Sequence, residues 1–162
     1  MKVSTQEEFG LRCLMQIARH GAGASLTIAQ LSQLEGLSVA TVAKIMRLLR
    51  RSRFVKSTRG QAGGYALASS PDEIVVGDVL AALGPRLFDA RFCERHAGSE
   101  DLCAHEGDCS IRPVLRQLQE AVDAVMGRLT LAELLRGERG TPPPIVGSRA
   151  RRLPLVGPTP HS

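Results

Sequence analysis

The sequence predicts a mainly α-helical fold with one small β element, and three observations carry that prediction. Two amphipathic segments, TIAQLSQLE at 27–35 and SVATVAKIMRLLRR at 38–51, meet across a tight turn that contains Gly36. The glycine-rich stretch RFVKSTRGQAGGYALA at 53–68 follows directly and has the form of a β-hairpin. An apolar pattern close to a heptad seam then runs through Ile111, Val114, Leu115, Leu118, Val122, Val125, Met126 and Leu129. With 43% hydrophobic residues, only 3% aromatic ones and no Trp, the core must be built from Leu, Val, Ile and Ala, which suits helices.

Taken in order, residues 5–20 place Phe9, Leu11, Leu14, Met15, Ile17 and Ala18 mostly on one helical face. Ser4 or Thr5 is positioned to cap this helix, Glu7 and Glu8 sit at the positive end of its dipole, and Gly21 and Gly23 stop it. A helix at 27–35 ends at Gly36, and Ser38 caps a second that reaches about Arg51 and buries Val42, Ile45, Leu48 and Leu49. That pair is a helix-turn-helix, and a hairpin immediately after it is a wing, with FVKST and YALA as strands and Arg59 at the tip. Residues 74–76 read as a short strand and 77–83 as a helix. The long helix starts at Ile111 and tolerates Pro113 in its first turn, and a short one at 131–135 follows Thr130.

The predicted fold class is therefore mainly α with a small β wing: a winged helix-turn-helix domain at 1–86, a cysteine-rich loop at 87–110, a dimerisation helix at 111–136 and a tail at 137–162. The alternative for the long helix is that it folds back on its own domain. The tail is read as disordered because ten of its 26 residues are Gly or Pro.

The net charge is +5 and the pI near 9.5, which permits an anionic partner. The charge is concentrated: between Lys44 and Arg59 lie seven basic residues and no acidic one. The opening MKVSTQEEFG has no apolar run behind its Lys, and no stretch approaches the roughly 18 apolar residues of a membrane span. The expectation is a cytoplasmic chain with no membrane partner, in a compartment where thiols stay reduced.

Three of the four cysteines, Cys93, Cys103 and Cys109, crowd into RFCERHAGSEDLCAHEGDCSI at 91–111. A reducing compartment and an odd number of loop cysteines argue against a disulfide. Zinc stays open through Cys93-x2-His96 and Cys103-x-His105, although gaps of nine and five residues are not the compact knuckles of structural zinc sites. A thiol-only switch needs a cationic setting, and this loop holds Glu94, Glu100, Asp101, Glu106 and Asp108 instead. An iron–sulfur cluster takes thiolates at flexible loop spacings. Cys13, on the first helix, reads as a buried small hydrophobe.

The opening VSTQEEFGLRCLMQIA, the basic helix followed by RRSRFVKSTRGQAGGYALA, and the cysteine loop followed by a long helix together resemble the winged-helix regulators of the IscR and NsrR type, a family that also includes RirA and CymR. The resemblance runs from Met1 to about Leu135, and the RG-x-x-GGY-x-LA wing is its most specific part. It implies a homodimeric transcription factor, a repressor in the first instance, reading a near-palindromic operator in double-stranded DNA. The helix at 38–50 would enter the major groove and the wing the minor groove. On that helix Ser38, Thr41, Lys44 and Arg47 form the expected reading face, while Arg50, Arg51, Arg53 and Lys56 meet phosphate, with Ser57 and Arg59 in the wing.

The resemblance also implies an iron–sulfur cluster on Cys93, Cys103 and Cys109, four-iron ahead of two-iron, sensing nitric oxide, redox or iron status. The chain departs from the common spacing by its nine-residue first gap, and it has Arg112 where an IscR-like chain places a histidine ligand. In NsrR-like members a carboxylate near the N-terminus of the other subunit completes the site. Aligned on LR-x-LM, that residue is Glu8, with Glu7, His105 and His96 as rivals. The alternatives are a cluster-free or zinc-bound regulator of the same fold, or an iron–sulfur carrier. No constellation of nucleophile, base and acid outside the loop indicates an enzyme.

Overall fold

The computed structural model describes residues 3–58, 63–86, 88–89, 92, 105 and 108–137. Helix α1 spans Thr5–Arg19 and begins at a full capping box: Glu7 N donates to Ser4 Oγ at 3.2 Å, and Ser4 N donates to Glu7 Oε2 at 2.7 Å. Its buried residues Gly10, Cys13, Leu14 and Ile17 recur at helical spacing and form one edge.

Helix α2, Ile28–Glu35, repeats the device with Thr27 and Gln30, and stops where Gly36 adopts φ +65°. Helix α3, Val39–Arg51, starts at Ser38 and buries Val42, Ile45, Met46 and Leu49. Met46 thus takes the core place expected of Leu48, which is only half-buried. Neighbours on the helix surface at 100° per residue compete for one buried sector, and contact with α1 and α2 selects residue 46.

The hairpin pairs β1 (Val55–Thr58) with β2 (Gly64–Leu67) antiparallel, from Val55 opposite Leu67 to Thr58 opposite Gly64. Leu26 adds a bridge to Tyr65 through two backbone bonds of 3.0 and 2.8 Å, which anchors the wing to the segment before α2. Gly64 is required there, since a Cβ would lie 2.7 Å from the backbone of Leu26. The wing tip, 59–62, lies outside the described residues.

The strand expected at 74–76 is not formed. Val75 makes a single bridge to Thr130, and Val76 already opens helix α4, Val76–Leu83. A lone bridge cannot propagate a ladder, because the chain on either side turns into helices. Helix α4 packs on α1 at Gly10, where any Cβ would overlap Leu83. Helix α5, Ile111–Met126, is the long helix, and α6, Leu131–Gly137, follows a third capping pair, Thr130 with Glu133.

Residues 74–76 and 129–131 are tied by Val76 N to Leu129 O at 2.8 Å and Leu131 N to Ile74 O at 2.9 Å. Leu131 is fully buried in the same core as Leu14, Ile17 and Leu49, so α6 shares the hydrophobic core of the helix-turn-helix. No described helix is long and apolar enough to cross a membrane.

Cys13 lies at the centre of this core with no exposed surface, and burial pushes its thiol up to about 12. Its neutral form is the folded one, so the stability it contributes is intact below its ordinary value of 9.0 and falls as pH rises toward 12. Iodoacetamide at pH 8.5 should leave Cys13 unmodified in the native protein and label it in urea, as read by peptide mass spectrometry. Labelling at equal rates in both states would contradict the packing.

Candidate nucleic-acid interface and cluster ligands

Helical spacing sets Ala40, Lys44, Arg47 and Arg51 on the side of α3 opposite its buried edge, and all four are exposed, as is Arg50. This is the cationic strip expected of a helix that enters DNA, although its membership differs from the sequence reading. Ser38 Oγ accepts the Thr41 N–H at 3.2 Å, and the two hydroxyls bond each other at 2.8 Å. Both side chains therefore work first as the helix cap, and Thr41 is half-buried. Ala40, absent from the expected reading face, occupies its centre.

Beyond α3 the chain turns through Arg53, the one described non-glycine residue with positive φ, at 63°. Phe54 N then donates to Leu49 O at 3.0 Å, closing the helix end. An L-residue in this conformation costs about 1–2 kcal/mol, so glycine would be the local choice. The side chain retained at that cost is an exposed cation between the recognition helix and the wing. Lys56 and Ser57 are exposed on β1 next to it, and Arg59 falls among the residues not described.

A polar clamp that the sequence reading missed fixes the turn of the motif. Glu35, the last residue of α2, has a side chain only 6% exposed. Arg12 Nε donates to its Oε2 at 2.5 Å, Arg12 Nη2 donates to its backbone oxygen at 2.9 Å, and Gln16 Nε2 donates to its Oε1 at 2.6 Å. The bond to Glu35 raises the Arg12 guanidinium above its ordinary value, against a smaller opposing cost of burial. Arg12 also stacks over Phe9, 5.4 Å from the ring centre. Arg12 and Gln16 are one turn apart on α1, and the available signal was this pair of donors on a helix whose opposite edge is apolar. Locating their acceptor 19–23 residues away needed the packing of α1 on α2.

Of the candidate ligands, Glu8 is 59% exposed on α1, and its Oε1 accepts from Arg12 Nη1 at 3.5 Å. Glu7 is committed to the capping box and packs against Gly84. His105 is exposed. Cys109 is half-buried and free, and its Sγ accepts the Arg112 N–H at 3.3 Å. Arg112 Nε is buried nearby in sequence with no hydrogen-bond partner among the described residues. A sulfur that accepts an amide hydrogen bond is a setting suited to a ligand thiolate carrying negative charge. Cys93, His96 and Cys103 lie outside the described residues, and among the described ones no three potential metal ligands converge.

A helix-turn-helix, a hairpin wing and a basic recognition face define a winged helix-turn-helix DNA-binding regulator, a class that is not enzymatic. A family model described as "Rrf2: Iron-dependent Transcriptional regulator" matches residues 3–137. The chain belongs to the Rrf2 family. It is 32% identical over 136 residues to the protein rrf2 of Nitratidesulfovibrio vulgaris, covering 84% of this chain and 88% of that one. It is 27% identical to the HTH-type transcriptional regulator IscR of Serratia proteamaculans, over 85% of this chain and 81% of the relative. Among solved structures it is similar to CymR, the global cysteine regulator of B. subtilis, with a TM-score of 0.67 and 26% identity over 85% of this chain and 98% of that one. IscR of T. potens gives the same TM-score at 27% identity, covering 85% and 88%.

Two substitutions test the interface. Arg12→Ala should lower unfolding stability by about 2 kcal/mol in a urea titration, less than the loss for a fully buried pair because Arg12 is 40% exposed. Arg53→Gly should leave stability within about 0.5 kcal/mol, since relief of the left-handed conformation offsets glycine's unfolded-state freedom. The same variant should reduce the salt dependence of DNA binding by about one phosphate contact per protomer. A loss of 2 kcal/mol with unchanged binding would show that Arg53 is structural.

Proposed function

We propose that the chain is a homodimeric transcriptional repressor in the cytoplasm whose operator affinity is set by an iron–sulfur cluster held by Cys93, Cys103, Cys109 and the partner's Glu8. The observation that carries the proposal is the continuous polar path from Glu8 through Arg12 to Glu35 at the helix-turn-helix turn. Glu8 has one exposed cation to pair with, and ligation would take it from Arg12. Of this pair of acidic partners Arg12 would then keep Glu35, the residue that precedes Gly36 and α3.

When bound, the cluster supplies iron sites whose carboxylate bond is weaker and more labile than the thiolate bonds, hence the natural point of attack for nitric oxide or oxidant. The chain's own part is to present the ligands and to convert their engagement into the placement of α3. The two recognition helices of a two-fold dimer must sit about one turn of DNA apart, so a small change at the turn alters affinity for both half-sites together.

Helix α5 supports the dimer. Its apolar stripe divides: Val122 and Met126 face the chain's own domain beside the buried Gln119, while Ile111, Val114, Leu118 and Val125 are 66, 54, 50 and 50% exposed. A row of large apolar side chains at that exposure fits a second copy of the same helix. A cluster-free or zinc-bound regulator keeps the DNA-binding face and loses only the sensing, and an iron–sulfur carrier has no use for the basic α3.

Protein purified without oxygen should carry iron and acid-labile sulfide, with a Mössbauer spectrum of a four-iron cluster in preference to a two-iron one. Colourless protein lacking both would sink the cluster reading. Glu8→Ala should load less cluster and lose the change in operator affinity on nitric oxide exposure, while His105→Ala should match the parent. Unchanged loading and response in Glu8→Ala would overturn the ligand assignment.

A further inference from the structure

Large apolar side chains stand exposed at few places among the described residues. Four lie on the pairing stripe of α5, Val3 lies near the N-terminus, and Leu34 and Val39 flank the turn of the helix-turn-helix. Val39 is the first residue of α3 and is 57% exposed, on the element with the densest positive charge in the chain. Its neighbour Ala40 is exposed as well.

We propose that Val39, with Ala40 beside it, is a specificity-determining residue that reads the 5-methyl group of a thymine in the operator half-site. The leading end of a recognition helix is the part that meets base edges in the major groove. Here the hydroxyls at that end, Ser38 and Thr41, bond each other and the Thr41 N–H. The groups left facing outward in the first turn are hydrocarbon, and the base edge that offers hydrocarbon in the major groove is thymine. The alanine leaves room for close approach, and Lys44 and Arg47 one and two turns on supply the cationic donors suited to guanine or phosphate. Charge complementarity commits the strip that Ala40 begins to DNA, and Val39 stands one residue round the helix from Ala40 at the same leading end. The apolar pair then makes one position of the bound site thymine rather than cytosine.

The inference rests on α3 entering the major groove, and the experiment separates the two. Full-length protein is used to select bound duplexes from a random library, and each thymine of the selected site is replaced singly by uracil, which removes only the methyl group. One replacement per half-site should weaken parent binding about fourfold, the value of one buried methyl. Val39→Ala should bind the thymine duplex about sixteenfold more weakly, since both protomers lose the contact, and lose its sensitivity to that replacement. Val39→Thr, which keeps a methyl, should retain it. Because Val39 is exposed and alanine favours helix, the variant's fold is checked by an unchanged thermal melt. Enrichment of a site in which no uracil replacement matters, or equal uracil sensitivity in Val39→Ala, overturns the inference while leaving DNA recognition intact. A library with no enriched sequence removes recognition by α3 itself, and this inference with it.

Discussion

Five elements pack against α1, and its buried edge dictates how close each can come. Gly10, Cys13, Leu14 and Ile17 form a strip with no large polar group, and α2, α3, α4, β2 and α6 all lie against this helix. Gly10 admits Leu83 of α4 at a distance no side chain would allow. Cys13 fills its own place with a small, soft group whose thiol stays neutral. Because native interiors are close-packed, a displacement of α1 is passed to α3 and α4 together. The recognition helix is therefore oriented by the same strip that holds the segment leading to the cysteine loop.

The opposite side of α1 carries the polar half of the arrangement. Glu35 is nearly buried at the end of α2, and a buried carboxylate is tolerated only with full hydrogen bonding. Arg12 and Gln16 supply it, with Arg12 also closing the carbonyl of Glu35 itself. The turn through Gly36 is thereby fastened by charge as well as by packing. Such a joint depends on the charge around Arg12 in a way that an apolar contact does not, and Glu8 is a second acidic neighbour of that guanidinium.

Helix α5 serves two masters along its length. Gln119 is buried and accepts the Phe88 N–H at 3.0 Å while donating to Asp123 at 2.8 Å, and Arg86 pairs with the same Asp123. The residues that open the cysteine loop are thus held to the middle of α5, and Cys109 is held to its first turn through Arg112. The ends of the loop and the exposed apolar half-stripe thus share one helix.

Much of this was legible in local sequence, because local forces decide it. Ser4 with Glu7, Thr27 with Gln30 and the left-handed Gly36 each act within a few residues, and each starts or stops a helix where the sequence placed one. Other features depend on what arrives from elsewhere in the chain. Residues 74–76 have strand-forming side chains but only Thr130 as a bridge partner, so they yield one bridge and a helix start. Met46 displaces Leu48 from the core because of where α1 and α2 lie, and Ser38 and Thr41 turn to each other before any partner arrives. By itself, the sequence determined the order of elements, the basic recognition helix and the candidate ligand types, since periodicity, capping and residue chemistry are written in neighbours. Only the tertiary structure decided that Arg12 clamps Glu35, that Arg53 takes a glycine's conformation, and that α5 divides its apolar stripe between its own core and solvent. The clamp and the divided stripe are contacts across tens of residues, and the conformation at Arg53 runs against its local preference, so neighbouring residues do not encode them.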